Sequence, residues 1–324
     1  MKKINTFFII CFATLFLTLS SCSGDSDNSL NPGPTGPINT GELKLFAIDT
    51  AKIKTINSLG GNEQTIINKS VNSSSYIGDF CISPDGTKFI YENHQQSNSG
   101  GNMIVTREIR KANIDGSGDV KIYEVTQNQT EIQKIKYCND GKIMFYTSSY
   151  QSGAMASNAY LMNEDGSGIQ TMANVGIFED VTSDRGYYLR SSSTGVQIFD
   201  ADADNGAPGL YHTETLPASQ SKGEGVFTND GKYVIIPYQE NTTIKARIID
   251  MTTKTSTTMT LISGLGTGWI SYHLEMASDS KRGVITITGA DYNKSKTYIF
   301  DVKTGVVNAP FENNDENIFD VYVW

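Results

Sequence analysis

The sequence predicts an all-β fold, a six-bladed β-propeller, from three observations. A short phrase returns at a period of about 45–55 residues, which marks stacked copies of one strand-rich unit. Each copy is followed by two further strands joined by a polar turn, making four strands per unit. The two ends of the repeat region are incomplete in complementary ways.

The phrase is an apolar run, a turn on Asp-Gly or on Asp alone, and a second apolar run. Its copies are Phe80-Cys-Ile-Ser-Pro-Asp-Gly-Thr-Lys-Phe-Ile-Tyr91, Ile135-Lys-Tyr-Cys-Asn-Asp-Gly-Lys-Ile-Met-Phe-Tyr146 and Val226-Phe-Thr-Asn-Asp-Gly-Lys-Tyr-Val-Ile-Ile236. Looser copies span Val181 to Leu189 and Met276 to Ile287. At such turns Asp accepts backbone N–H bonds and Gly supplies a positive φ. The looser copies have Asp184-Arg-Gly186 and Asp279-Ser-Lys-Arg-Gly283 instead, and read as lengthened turns that keep the Asp cap. The strand after each turn, such as Ile143 to Tyr146 or Tyr233 to Ile236, is unbroken apolar sequence, as a strand covered on both faces requires.

The outer strands follow. Glu108 to Ile114 and Val120 to Val125 flank Asp115-Gly-Ser-Gly118, and Ala159 to Met162 and Ile169 to Met172 flank Asp165-Gly-Ser-Gly168. Val196 to Phe199, Ala246 to Ile249 and Thr297 to Phe300 take the third-strand position later in the chain. Five complete units thus cover residues 76–312. Ile318 to Trp324 matches a first strand, Leu43 to Ile48 resembles a second, and Lys52 to Asn68 supplies a third and fourth. The sixth blade is therefore closed by three N-terminal strands and one C-terminal strand. This closure buries two apolar blade faces that an open ring would leave in water.

The phrase Ser83-Pro-Asp-Gly-Thr-Lys-Phe-Ile90, with Asn139-Asp-Gly-Lys142 and Asp115-Gly-Ser-Gly118, resembles the WD40-like repeats of the TolB-type six-bladed propeller. The resemblance covers nearly all of the chain after residue 41. It implies the fold strongly and the function weakly. The same repeats occur in the propellers of prolyl oligopeptidases, but no Gly-x-Ser-x-Gly elbow or α/β segment of the hydrolase half is present.

Residues 1–21 read as a lipoprotein signal peptide. Lys2 and Lys3 precede the apolar stretch Phe7 to Leu19, which has the length of a signal h-region and is short for a permanent span. Leu19-Ser20-Ser21-Cys22 resembles a bacterial lipobox, which implies cleavage before Cys22 and lipidation of that residue. Residues 22–41, polar and rich in Pro and Gly, read as a flexible tether, and residues 42–324 as the propeller. Asp25 and Asp27 resemble the acidic signals that send some Gram-negative lipoproteins to the cell surface. The expected location is the outer membrane, anchored by lipid.

The formal charge is −9, which repels phosphate backbones and excludes nucleic acid as a favoured partner. Cys81 and Cys138 fall five and three residues before the turn glycines Gly86 and Gly141. That shared odd parity points both to the same side of their sheets, so they are expected as buried free thiols rather than a disulfide.

No cofactor is expected. His94, His212 and His273 lie in different repeats, so no metal site is read from them. Asp115 to Thr126 fails the calcium-loop pattern, with Val120 in place of its glycine and Thr126 in place of its glutamate. Gly264-Leu-Gly-Thr-Gly268 lacks the following helix of a dinucleotide site.

The connections of one rim are long and irregular: Glu92 to Asn102, Ser149 to Asn158, Ile262 to Tyr272 and Gly289 to Lys296. They carry His94, Gln95, Tyr150, Gln151, Trp269, Tyr272 and Tyr292, aromatics and amides suited to sugar or peptide recognition. Solvated loops packing their own aromatics would show the same composition. The leading expectation is a non-catalytic lipoprotein that binds a protein or glycan partner through this rim. The alternative is a propeller enzyme, a carbohydrate lyase, glycosidase or lactonase with an axial active site. Convergent carboxylates or histidines on the inner strands would favour the enzyme, and hydroxyls and aliphatics the binder.

Overall fold

The computed structural model describes residues 43–324 apart from 58–61, 71–73, 100–101, 126–129, 152–153, 173–176, 193, 205–206, 217–220, 266–268, 290–294, 306 and 314–317. Cys22, the signal segment and the tether lie outside the described residues. Six antiparallel sheets form a propeller of six blades, with no helix among the described residues.

The closing blade opens with β1 (Lys44–Asp49), β2 (Lys52–Asn57) and β3 (Gln64–Asn68). Blade one holds β4 (Tyr76–Ile82), β5 (Lys88–Ser99), β6 (Asn102–Asn113) and β7 (Val120–Val125). Blade two holds β8 (Thr130–Tyr137), β9 (Lys142–Gln151), β10 (Ala154–Asn163) and β11 (Gln170–Met172). Blade three holds β12 (Asp180–Val181), β13 (Tyr187–Ser192), β14 (Gly195–Asp204) and β15 (Ala207–Thr215). Blade four has its inner strand in two pieces, β16 (Ser221–Lys222) and β17 (Val226–Phe227), both paired with β18 (Tyr233–Glu240) ahead of β19 (Thr243–Asp250) and β20 (Ser256–Ile262). Blade five holds β21 (Trp269–Met276), β22 (Arg282–Gly289), β23 (Ser295–Asp301) and β24 (Val307–Asn313). β25 (Ile318–Val323) then pairs with β1 and completes the closing blade in the order β25-β1-β2-β3. Leu45 faces Val323 and Ala47 faces Val321, and Lys44 and Trp324 exchange backbone bonds at 3.2 and 3.1 Å.

The core is a ring of six apolar clusters, each between two neighbouring blades. Phe46, Ile53, Phe80 and Phe89 join the closing blade to blade one, and Ile90, Ile135 and Phe145 join blade one to blade two. Phe178 and Tyr188 join the next pair, followed by Leu189 with Val234, Ile248 with Ile285, and Ala277 with Val321. Second strands such as β22 are buried along almost their whole length, because each is covered by a blade on both faces.

The inner turns share one geometry. In the first, Ser83 N donates to Lys88 O and Gly86 N to Ser83 O, while Asp85 accepts from Thr87 N at 3.0 Å. The looser copies have the same bonds, Thr182 N to Tyr187 O with Arg185 N to Thr182 O, and Ala277 N to Arg282 O with Ser280 N to Ala277 O. They are therefore not lengthened. Arg185 (φ 64°) and Ser280 (φ 58°) occupy the left-handed position that Gly86, Gly141 and Gly231 take elsewhere. Contacts to the preceding turn favour them: Arg185 reaches Asp140 at 2.7 Å, and Ser280 Oγ accepts from Asp230 N at 2.9 Å.

The outer turns of blades one, two, four and five lean on the preceding blade. A Cβ on Gly166 of blade two would fall 1.9 Å from the Ile122 carbonyl of β7, and one on Gly116 of blade one 2.2 Å from the Ile66 carbonyl of β3. In blade four, Lys254 Nζ lies 3.8 Å over the ring of Tyr211 on β15, and in blade five Gly305 sits against Met259 on β20. Asp119, beside the Gly116 turn, is bound by Tyr91, Arg110 and Lys69.

Two of the long connections differ from expectation. Glu92 to Asn102 and Ser149 to Asn158 are mostly strand, because β5 with β6 and β9 with β10 continue as paired hairpins beyond the blade body. Polar sequence there concealed regular pairing, since neither face of a projecting hairpin needs to be apolar.

Candidate functional site

The inner strands bring a set of charged side chains to the hub. Counting back six residues from each turn aspartate gives Asp79, Lys134, Phe178, Glu224 and His273, and counting back four gives Cys81, Lys136, Asp180, Val226 and Glu275. Both offsets are even, and along the regular strands β8 and β21 this places the pairs Lys134 with Lys136 and His273 with Glu275 on one face. The charged members line two cavities along the axis. A funnel of about 550 Å³ opens where the inner strands begin, walled by Tyr76, Asp79, Glu92, Glu131, Gln133, Lys222, Glu224, Tyr272, His273 and Tyr322. A smaller cavity of about 200 Å³ lies toward the turns, with Lys134, Lys136, Asp180 and Glu275 in its wall.

Several of these groups stitch one blade to the next. The Asp79 carboxylate accepts from the Ile135 amide, and Cys81 Sγ from the Tyr137 amide at 3.3 Å. Asp180 accepts from Phe227 N and from Lys136 Nζ, each at 2.8 Å. Glu179 accepts from Gly225 N at 2.9 Å and from Lys222. Lys222 Nζ also donates to Ser191 Oγ at 2.8 Å and to Gly223 O at 3.2 Å, so its three protons are all committed.

Lys134 lies between the two cavities. Its Nζ is 3.8 Å from Asp79, 3.9 Å from Glu224 and 3.9 Å from Glu275, carboxylates on three different blades. Burial pulls the ammonium pKa down, but Asp79, Glu275 and Glu224 outweigh it and hold the pKa well above the usual lysine range. Asp79 and Glu275 are the enclosed acids of the three, with side chains 10% and 21% exposed against 64% for Glu224. Asp79 and Glu275 are accordingly still raised, first by burial, with Lys134 opposing.

Glu92 enters the funnel wall from the second strand of blade one. The β4–β5 register slips between Ile77 and Phe80, and at this bulge Glu92 Oε2 fills the space a Cβ on Gly78 would take, 2.0 Å away. Its side chain is 4% exposed. Burial raises the carboxyl to about 8, with Arg107 opposing and Asp79 and Glu131 adding to the rise. Arg107 Nε stands 3.7 Å from Oε1, and Oε1 has no hydrogen-bond partner among the described residues. Arg107 instead donates to Thr130 O and, at 3.2 Å, to Glu131.

Of the residues expected at the rim, Tyr272 is buried in the funnel wall and donates to Gln239. His94 is buried on β5 and stacks on Tyr76 at 4.1 Å, and burial lowers its imidazole pKa. Gln95, the next residue, is half-buried opposite Thr106. Tyr150 and Gln151 end β9 and Trp269 begins β21, with side chains outside the described residues, and Tyr292 lies wholly outside them. Sequence reasoning missed Asp79, Lys134, Glu224 and Glu275, although the offsets of six and four from each turn aspartate carry them. It also missed Glu92, a second-strand residue that reaches the axis only because β4 bulges. Among the described residues, no three His, Cys, Asp or Glu side chains converge as metal ligands, and Cys81 and Cys138 are free thiols.

No protein-family profile matches the sequence, and a search of curated proteins finds no match. Solved structures match in fold. TolB from Acinetobacter baumannii superposes with a TM-score of 0.60 at 14% identity, over 89% of this chain and 67% of that one. A protein described as TolB from Agrobacterium tumefaciens gives 0.54 at 13% identity, over 87% and 97%. The periplasmic gluconolactonase of Pseudomonas aeruginosa gives 0.54 at 11%, over 87% and 99%. The fold is that of a TolB-type six-bladed propeller.

Proposed function

We propose that this chain is a non-catalytic binding protein, tethered to the outer membrane through Cys22, whose funnel rim receives a protein or glycan partner. The supporting observation is how the hub's charged groups are used. Inner-strand carboxylates do converge, the composition set out above as favouring an enzyme. However, Asp79, Glu179 and Asp180 accept backbone amides of the next blade, and Lys222 binds Glu179 as Lys136 binds Asp180. Ser191 touches Lys222, yet a lysine that donates three hydrogen bonds has no lone pair with which to take a proton. The convergence therefore serves assembly, and the open funnel above it serves recognition. A periplasmic protein among the fold neighbours is consistent with an envelope location.

The test has two arms. Fatty-acid labelling of cells should mark the wild type and leave Cys22→Ala unlabelled. Pull-down from envelope extracts and a glycan array should both be run with the wild type and with a Tyr272→Ala, Glu224→Gln variant. Binding by the wild type that the variant loses supports the funnel rim, and equal binding by both refutes it.

One observation favours a second reading, the axial enzyme. Glu92 holds its proton to about 8 in the funnel wall, beside Asp79, whose carboxyl burial also raises, and a carboxyl kept protonated near neutral pH is suited to general-acid work. A fold neighbour described as a gluconolactonase makes lactone hydrolysis the natural assay. Turnover that Glu92→Gln abolishes would replace the binding reading.

A further inference from the structure

We propose that the cavity at the turn end of the axis is a second binding site, one that takes a neutral monosaccharide.

The cavity encloses about 200 Å³ at the end of the hub opposite the funnel, and Asn139, Asn229, Ser278 and Trp324 in its lining are exposed, so it is open to solvent there. It is smaller than the pockets that hold drug-sized ligands, which suits one sugar ring rather than a chain. The position just before each turn aspartate builds its mouth: Pro84, Asn139, Ser183, Asn229 and Ser278, one from each of blades one to five. The turn aspartates themselves are absent from the lining. Asp85, Asp140, Asp184, Asp230 and Asp279 each accept an amide of their own turn at 2.9–3.2 Å. The mouth is therefore polar but uncharged, on a chain whose formal charge is −9. Deeper in the wall, Lys136 pairs with Asp180 at 2.8 Å and Lys134 stands 3.9 Å from Glu275, two ammonium groups against two carboxylates. A wall balanced in this way favours neither an anion nor a cation.

Trp324 is the independent observation. Its side chain lines the cavity, and the residue is 38% exposed. The six-membered ring of the indole lies on Gly86, where a Cβ would fall 2.1 Å from Cζ2, so a side chain at that turn would displace it. Held there, the indole offers a flat apolar surface to the C–H face of a sugar. Around it are groups with hydrogen-bonding capacity to spare. The hydroxyls of Ser183 and Ser278 and the side-chain amide of Asn139 make no hydrogen bond among the described residues, and the Asn229 amide is fixed by donating to Ala277 O at 2.9 Å. Hydroxyls and amides both donate and accept, as the hydroxyls of a sugar do. A ring that is apolar on one face and hydroxylated around its edge matches this arrangement.

Purified full-length protein would be titrated calorimetrically with glucose, galactose, mannose and N-acetylglucosamine, and with gluconate and glucosamine as charged counterparts of similar size. At least one neutral sugar should bind with one-to-one stoichiometry, at least about tenfold more tightly than either charged counterpart. Trp324→Leu, and separately the Ser183→Ala, Ser278→Ala double variant, should each weaken that sugar about tenfold. Circular dichroism checks the fold of each, and the serine pair decides the matter if Trp324→Leu does not fold. Failure of all four neutral sugars to bind, equal affinity for gluconate or glucosamine, or an affinity unchanged in the serine pair overturns the proposal. A sugar that keeps its affinity in both turn-end variants but is lost in the Tyr272→Ala, Glu224→Gln variant sits in the funnel, which overturns this inference and supports the funnel-rim reading above.

Discussion

Phe46 and Tyr322 lie directly opposite each other in the sheet that joins the first and last strands. Tyr322 does more than seal that seam. Its ring packs on Phe80 of blade one at 4.9 Å and edge-on to His273 of blade five at 4.9 Å, and its hydroxyl reaches Asp79 at 3.3 Å. One side chain thus links the closing blade, both its neighbours and the funnel wall.

Tyr322→Ala should cost about 3–5 kcal/mol, because a buried aromatic at a closure point leaves a cavity that the ring cannot collapse to fill. Tyr322→Phe keeps the ring and should cost about 1 kcal/mol or less. Urea unfolding of the two variants beside the wild type measures both. Similar losses would mean that the hydroxyl, not the packing, holds the seam.

Gly141→Ala and Gly166→Ala separate backbone strain from steric overlap. Both glycines have positive φ, but a Cβ on Gly141 meets nothing within 4 Å, whereas one on Gly166 runs into the Ile122 carbonyl. The first should cost about 1–2 kcal/mol. The second adds overpacking, for a total of about 2–5 kcal/mol. Thermal melts rank them, and equal shifts would contradict the close approach between blades.

Lys134→Met should destabilise the fold by about 3–5 kcal/mol near pH 8, since it leaves Asp79, Glu224 and Glu275 without their shared cation. Without the ammonium Asp79 and Glu275, already raised by burial, rise further and hold protons that the unfolded chain releases. The variant's deficit is therefore largest at pH 8 and shrinks as pH falls and Asp79 and Glu275 take up protons in the folded state. Denaturation midpoints at pH 5, 6.5 and 8 test the trend. A deficit independent of pH would show that packing alone was lost.

Glu92→Gln should have the opposite effect. The folded-state pKa is about 8, above the usual 4.5, so the wild type has the full benefit of the neutral carboxyl below pH 4.5 and loses it as pH rises toward 8. A glutamine never ionises. The variant should match the wild type at pH 5 and exceed it by about 2–4 kcal/mol at pH 8.5. Stability curves that run parallel across this range would refute the raised pKa.

The architecture was legible because its causes are local. The Asp-Gly turn phrase, the unbroken apolar second strands and the complementary ends each follow from short-range rules, and the closing sheet pairs Leu45 with Val323 accordingly. Arg185 and Ser280 were misread because a turn normally advertises its left-handed position with glycine. Contacts to a turn in another blade compensate here, and such contacts leave no local trace. The hub was only partly legible. Asp79, Lys134, Glu224 and Glu275 share a register that the sequence contains, but their meeting depends on ring closure. Glu92 depends on a bulge that no residue pattern announces.

The lean of four outer turns onto the blade before them has a mechanical consequence. Gly116 rests on β3, Gly166 on β7, Lys254 on β15 and Gly305 on β20, always in the same rotational sense. The blades overlap like shingles, so a blade pressed toward its predecessor meets a turn contact as well as the apolar seam, while one drawn away is held by the seam. Stretched between its two ends, the molecule should come apart as a directional peel.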